Sequence, residues 1–149
     1  MTRMAECACG AFKVRVEGEP IAVGVCSCIQ CQRRTGSVIG MGAYFPKQSV
    51  EPVADFKTFV RAGHSGANLT ICFCPACGSS IFWEGGYSNP DYRGVAVGCF
   101  ADPSFPAPQA AFFTASQHPW VTLPADVVLF ETEPTQAEAF AMMNQAPAS

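Results

Sequence analysis

Seven of the nine cysteines fall into three short groups: Cys7-Ala8-Cys9, Cys26-Ser27-Cys28-Ile29-Gln30-Cys31 and Cys74-Pro75-Ala76-Cys77. Thiolates grouped at such spacings are the usual ligands of zinc, for which four close a tetrahedron and three leave a corner open. Cys74-Pro-Ala-Cys77-Gly78 has the form of a zinc knuckle, a tight turn that aims two sulfurs at one ion. Cys7-Ala-Cys9-Gly10 is a second pair that also ends in glycine. If the fold sets the two pairs side by side, Cys7, Cys9, Cys74 and Cys77 make a closed structural zinc site. Cys26, Cys28 and Cys31 then remain as a second zinc site of three sulfurs, whose fourth ligand is water, a side chain or an exogenous thiol. An ion in such a site polarises whatever fills the open corner, so these three cysteines are the expected seat of catalysis. Arg33 and Arg34 follow directly and are candidate substrate-binding residues, since a guanidinium can hold a carboxylate through two hydrogen bonds.

Other residues carry weaker chemistry. Cys28-x2-Cys31 and Cys74-x2-Cys77 also match the spacing of redox dithiols, but such a pair opens a helix after a strand, whereas Gly-Ser-Ser-Ile-Phe-Trp after Cys77 reads as turn and strand. Cys72 and Cys99 read as buried core thiols, His64 as a loop residue, and Phe82 and Trp83 chiefly as packing residues. Glu84 and Asp102 read as isolated carboxylates. His64 and His118 matter in one competing reading, a non-catalytic zinc-stabilised interaction domain in which one of them fills the fourth corner of the second site.

The elements that must position these groups are short. Phe12 to Glu17 alternates apolar and charged residues, the period of a half-buried strand, and Gly18-Glu19-Pro20 ends it. Ile21 to Cys26 reads as the returning strand of a hairpin. A single helical turn is expected within residues 29–36, then a strand from Val38 to Phe45, with cluster two on the loop between strands. Phe56–Arg61, Leu69–Cys74, Ser80–Glu84 and Gly94–Cys99 are further strand-like runs, for six to eight strands in all. Residues 102–124 hold five prolines and read as a long irregular segment. A helix is expected over about 134–145, where Pro134 can begin it and Ala, Glu, Met and Gln favour it.

The chain has 149 residues, 49% of them apolar and 14% charged, with a net charge of −3. That composition fits one globular domain spanning 1–149, with a core over about 5–130. The negative charge argues against nucleic-acid or membrane-surface partners. With no signal-like apolar run at Met1-Thr-Arg-Met-Ala-Glu, a cytoplasmic location is expected, where clustered cysteines favour metal over disulfides.

The order Cys7-x-Cys-Gly10, then Cys26-x-Cys-x2-Cys-x-Arg-Arg-x-Gly-Ser37, then Phe73-Cys-x2-Cys-Gly78 resembles the glutathione-dependent formaldehyde-activating enzyme family, which also includes centromere protein V. The resemblance implies an all-β, Mss4-like single domain of short antiparallel strands with zinc knuckles and a short C-terminal helix. It implies a structural zinc on Cys7, Cys9, Cys74 and Cys77 and a second zinc on Cys26, Cys28 and Cys31. It also implies a carbon–sulfur lyase that forms S-hydroxymethylglutathione from glutathione and formaldehyde, with a small thiol such as glutathione as partner. The pattern departs at Ser27, where many relatives carry histidine.

Overall fold

The computed structural model describes residues 1–86 and 90–144. Among these residues eleven strands form two sheets. The smaller has the order β1 (Thr2–Glu6), β2 (Lys13–Glu17) and β5 (Val50–Pro52). The larger runs β11 (Val128–Leu129), β10 (Ala110–Phe112), β3 (Ala22–Cys26), β4 (Gly40–Pro46), β9 (Tyr92–Ala96), β8 (Ser80–Gly85), β7 (Asn68–Phe73) and β6 (Lys57–Ala62). Helix α1 (Ile29–Thr35) links β3 to β4, and α2 (Gln136–Asn144) follows the last strand. Among the described residues no helix is long and apolar enough to cross a membrane.

Alternation along each strand builds the core. Val14 and Val16 of β2 face inward beside Phe12, while Lys13 and Arg15 face out and pair with Glu6 and Glu51 on the flanking strands. Against them pack Val23, Ala43, Phe45, Val95, Phe82 and Cys72, all from one face of the large sheet. Phe12 is fully buried, its ring 5.3 Å from Phe56 and 6.3 Å from Phe82. The other face of the large sheet carries Cys26, Gly42, Tyr44, Gly94 and Trp83, and is reserved for the site described below.

Several expectations are corrected. β2 and β3 do not form a hairpin. β2 lies between β1 and β5, and β3 lies between β4 and β10. β2 keeps one face in water, whereas Ala22 to Val25 are buried on both faces; alternation shows that a strand is half buried and does not name its neighbour. The single helical turn is a seven-residue helix, capped by the Cys28 sulfur and ended by Gly36 in the left-handed region. Cluster two therefore spans a strand end and a helix start. The strand expected to run to Cys99 stops at Ala96 and turns into a short 3-10 segment, Val97–Phe100. The proline-rich segment is not wholly irregular: past Pro108, Ala110–Phe112 keep their N–H groups and pair parallel to both β3 and β11. The sheet is thus mixed rather than purely antiparallel. α2 starts two residues later than expected, and position 145 lies outside the described residues. Its first turn is a capping box, with the Thr135 hydroxyl accepting from the Glu138 N–H at 3.2 Å and Glu138 accepting from the Thr135 N–H at 2.7 Å.

Glu84 is not isolated, since Arg93 Nε lies 2.9 Å and Lys47 Nζ 3.4 Å from its carboxylate. Burial would raise its pKa, and the two cations outweigh burial and hold it below the ordinary value.

Because Phe12 joins the two sheets, Phe12→Ala should cost about 3–5 kcal/mol of unfolding free energy. Urea denaturation followed by circular dichroism measures this, and a loss well under 1 kcal/mol would show that the inter-sheet contact does not carry the core.

Candidate metal centres and ligand cavity

The two cysteine pairs separated by 65 residues meet. Cys7 and Cys9 sit on the turn between β1 and β2, and Cys74 and Cys77 on the turn between β7 and β8. The four sulfurs all lie within 4.8 Å of one another. Gly10 at φ 78° and Gly78 at φ 79° follow the second cysteine of each pair. Only this left-handed backbone lets the chain curl past the sulfur, which explains the Cys-Gly endings. Cys7 and Cys9 sulfurs are 3.6 Å apart and Cys9 and Cys74 sulfurs 3.7 Å. A disulfide would need about 2.0 Å, whereas tetrahedral ligation with Zn–S of about 2.3 Å spaces sulfurs about 3.8 Å apart. The donor set therefore fits a metal ion. Backbone N–H groups point at the sulfurs as well, from Phe12 to Cys7 at 3.2 Å and from Ala76 to Cys74 at 3.4 Å.

The four thiols compete for charge. Ser79 holds Cys77 down to about 5, with its hydroxyl as the main cause. Burial pushes Cys7 up, and Cys77 adds to this, but the Phe12 N–H, Cys9 and Cys74 outweigh them and leave it low. The Ala11 N–H pulls Cys9 down, yet contacts with Cys7 and Cys77 win and push it to about 11.

Cys26, Cys28 and Cys31 form the second cluster, with their sulfurs also within 4.8 Å. Cys26 ends β3, Cys28 caps α1 by accepting from the Cys31 N–H at 3.2 Å, and Cys31 lies in the first turn. Cys28 is held low by hydrogen bonds from Cys26 and Cys31 in the first place, against burial and with help from the Cys31 N–H and His64. Cys26 is driven up, first by its contact with Cys28. Cys31 ends up raised, because Cys28 and burial together exceed the lowering by Cys26. Cys28 is thus the first thiol of the three to ionise.

A cavity of about 190 Å³ opens over this cluster, and the three cysteines form part of its wall. Of the two expected substrate residues, Arg34 lines it and Arg33 is exposed outside it. The Arg34 guanidinium lies 4.8 Å from the Trp83 ring centroid, a cation–π contact. Trp83 is therefore a wall of the cavity as well as a packing residue, whereas Phe82 belongs to the core. Tyr44 stands edge-on to Trp83 at 6.4 Å. Burial first, and then the charge of Cys26 and Cys31, pushes its phenol up to about 12, so it stays protonated.

Ser27 is buried and absent from the cavity wall. Its backbone is fixed by the proline-rich segment, donating to the Phe112 carbonyl at 3.0 Å and accepting from the Ser116 hydroxyl at 2.8 Å. His64 arrives from the turn between β6 and β7. It lines the cavity, packs 4.5 Å from the Phe113 ring and is near enough to Cys28 to help lower its pKa. His118 instead lies edge-on to Trp120 and is not part of the wall. Tyr44 and Arg61 gave no signal in the sequence, because only the strand order puts them on one face with Cys26. Cys72 is buried as expected, and Cys99 is half-buried against the core.

A mostly β protein with two cysteine clusters fit for metal, one buttressing the fold and one opening on a cavity, is the class that fold and site define. The chain belongs to the glutathione-dependent formaldehyde-activating enzyme family, whose model matches residues 2–116. No curated protein matches it in sequence. Among solved structures it is similar to a Rhodobacter sphaeroides protein determined by structural genomics, with 21% identity and a TM-score of 0.51 over 85% of this chain and 98% of that one. That likeness supports the fold alone.

The charge pattern has a direct consequence after metal removal with a chelator. At pH 7 Cys77, held near 5 and exposed, is thiolate, whereas Cys72, pushed to about 11 mainly by burial, is thiol. Iodoacetamide labelling with mass spectrometry should therefore mark Cys77 well before Cys72, and equal rates would contradict the assignment.

Proposed function

We propose that the protein is a zinc-dependent carbon–sulfur lyase acting on a small thiol adduct, with S-hydroxymethylglutathione formation as the family's model reaction. The observation that carries this reading is the three-sulfur cluster in the wall of a cavity, beside a four-sulfur cluster away from it. Cys7, Cys9, Cys74 and Cys77 would hold a structural zinc, and Cys26, Cys28 and Cys31 a second. Bound at the second cluster, the ion supplies positive charge that keeps a substrate thiol ionised.

The nucleophile belongs to the substrate. Its thiolate sulfur attacks the formaldehyde carbon, the C–S bond forms, and the carbonyl π pair moves to oxygen, which takes up a proton to give the hydroxymethyl group. In reverse the hydroxyl loses its proton, the C–S bond breaks and aldehyde and thiolate separate. The chain's side chains prepare this exchange. Arg34 offsets the negative charge that three thiolates and a substrate thiolate accumulate. Tyr44, protonated in the same cavity, offers a hydrogen bond to the oxygen on which charge develops. Trp83, Phe112 and Phe113 exclude water and so favour the anhydrous aldehyde.

A second reading rests on His64. If its imidazole fills the fourth corner, the site is closed and the protein is a zinc-stabilised interaction domain.

Metal analysis and exchange NMR separate the two. Wild type should carry two zinc ions per chain and Cys26→Ser or Cys28→Ser one, and wild type but not Cys28→Ser should accelerate exchange between formaldehyde and its thiol adduct. Unchanged exchange over several thiols, with both ions equally resistant to thiols and chelators, would favour the closed domain.

A further inference from the structure

The cavity has a character that the cysteines do not dictate. Its floor is the free face of the large sheet, and the centre of that floor carries no side chains. Gly24 on β3 sits opposite Gly42 on β4, and Gly94 on β9 sits opposite Tyr44, two residues along. Aromatic rings fill the space so left. A Cβ at Gly24 would come 2.6 Å from the Phe112 ring, one at Gly42 2.6 Å from Trp83, and one at Gly94 would collide with the Trp83 indole nitrogen. The two rings therefore rest on bare backbone and turn the floor into an aromatic surface beside Cys26. Leu69 and Ile71 extend it, and Ala139 and Met142 of α2 add apolar groups to the wall.

Among the described residues the wall carries the ionisable side chains of Arg34, Arg61, His64 and Glu133 besides the cysteines and Tyr44. Arg34 is wedged between the Trp83 ring and the backbone of Gly40, where a Cβ would lie only 3.2 Å from Nη2. Among the described residues no carboxylate lies within ion-pair distance of it, and its charge is felt by Cys31. Arg61, on the edge strand β6, already donates to the Ala62 carbonyl at 3.2 Å. The volume of about 190 Å³ falls below the roughly 300–1,000 Å³ of sites for drug-sized ligands. A flexible tripeptide with two carboxylates and an ammonium group is too extended for so small a volume over an aromatic floor, even with Arg61 and Glu133 on the wall.

We infer that the thiol handled by this site is compact and apolar, an alkyl or aryl thiol bearing a single carboxylate set against Arg34, rather than glutathione. The inference rests on reading the three-cysteine cluster as a thiol-adduct site. Its specificity elements are the aromatic floor and Arg34.

Binding can be read without turnover. In zinc-loaded Trp120→Phe protein, Trp83 is the remaining tryptophan, and its fluorescence reports ligands in the cavity. 3-(Benzylthio)propanoate should bind at least about tenfold more tightly than S-methylglutathione. Arg34→Ala should weaken the carboxylate ligand by about tenfold and leave uncharged benzyl methyl sulfide unaffected. Equal or tighter binding of S-methylglutathione, no binding of the benzyl ligand, or an Arg34→Ala effect shared by the uncharged sulfide would each overturn the inference. Exchange NMR with the matching free thiols keeps the two claims apart. Exchange with glutathione but not with the arylalkyl thiol overturns the substrate class and leaves the reaction standing, whereas the binding preference without exchange upholds the class and removes the reaction.

Discussion

Sulfurs held about 4 Å apart cannot all be thiolates without a cation. Each pair of unit charges at that distance repels by roughly 4 kcal/mol at an effective dielectric of 20, and both clusters show the result. In one, Cys7 and Cys77 are drawn down while Cys9 is driven up; in the other, Cys28 falls while Cys26 and Cys31 rise. A divalent ion removes this competition, and backbone N–H groups already aimed at Cys7, Cys28 and Cys74 favour the charged sulfur. The rest of the architecture follows from where the two clusters sit. The four-sulfur cluster ties the turn after β1 to the turn after β7, and so clamps the small sheet onto the large one. The three-sulfur cluster lies at the end of β3, on the face that the small sheet leaves free.

The division of labour between the faces of the large sheet explains how one fold serves both. One face presents Val23, Ala43, Phe45, Val95 and Phe82 to the small sheet and closes a conventional core. On the other, alternation places Gly24, Cys26, Gly42, Tyr44, Gly94 and Trp83, a set too small at its centre to fill the space with its own side chains. Trp83 and Phe112 lie into that gap, and α1 and α2 enclose what remains. The core is thus built on one side of the sheet and the cavity on the other, so the cavity-lining face can vary in side-chain size without disturbing the core.

The metal-binding potential was legible in the sequence because it is local: spacing within each cluster, and the glycine after each Cys pair, reflect single turns. The mostly β class was legible from short alternating runs. Strand partners were not. The pattern of Lys13-Val-Arg-Val-Glu17 states which side is buried, yet nothing in it selects β1 and β5 over β3. β10 was hidden because Ala110-Ala111-Phe112 lacks β-branched residues and sits among prolines. The contact of His64 with Cys28 and the meeting of Gly24, Gly42 and Gly94 on one surface depend on strand order and register across the large sheet, which no local pattern encodes. Arg34 and Arg33 looked equivalent as neighbours in sequence. The helix separates them, sending one to the cavity and the other to solvent.

The partition of seven cysteines into four and three is the claim on which the account stands. X-ray absorption at the zinc edge of the fully loaded protein tests it most directly, because it counts sulfur neighbours at about 2.3 Å against lighter ligands near 2.0 Å. The account predicts an average of about 3.5 sulfurs per zinc, rising towards four when a thiol ligand is added. Four sulfurs per zinc before any thiol is added, or a first shell that thiols leave unchanged, would contradict it.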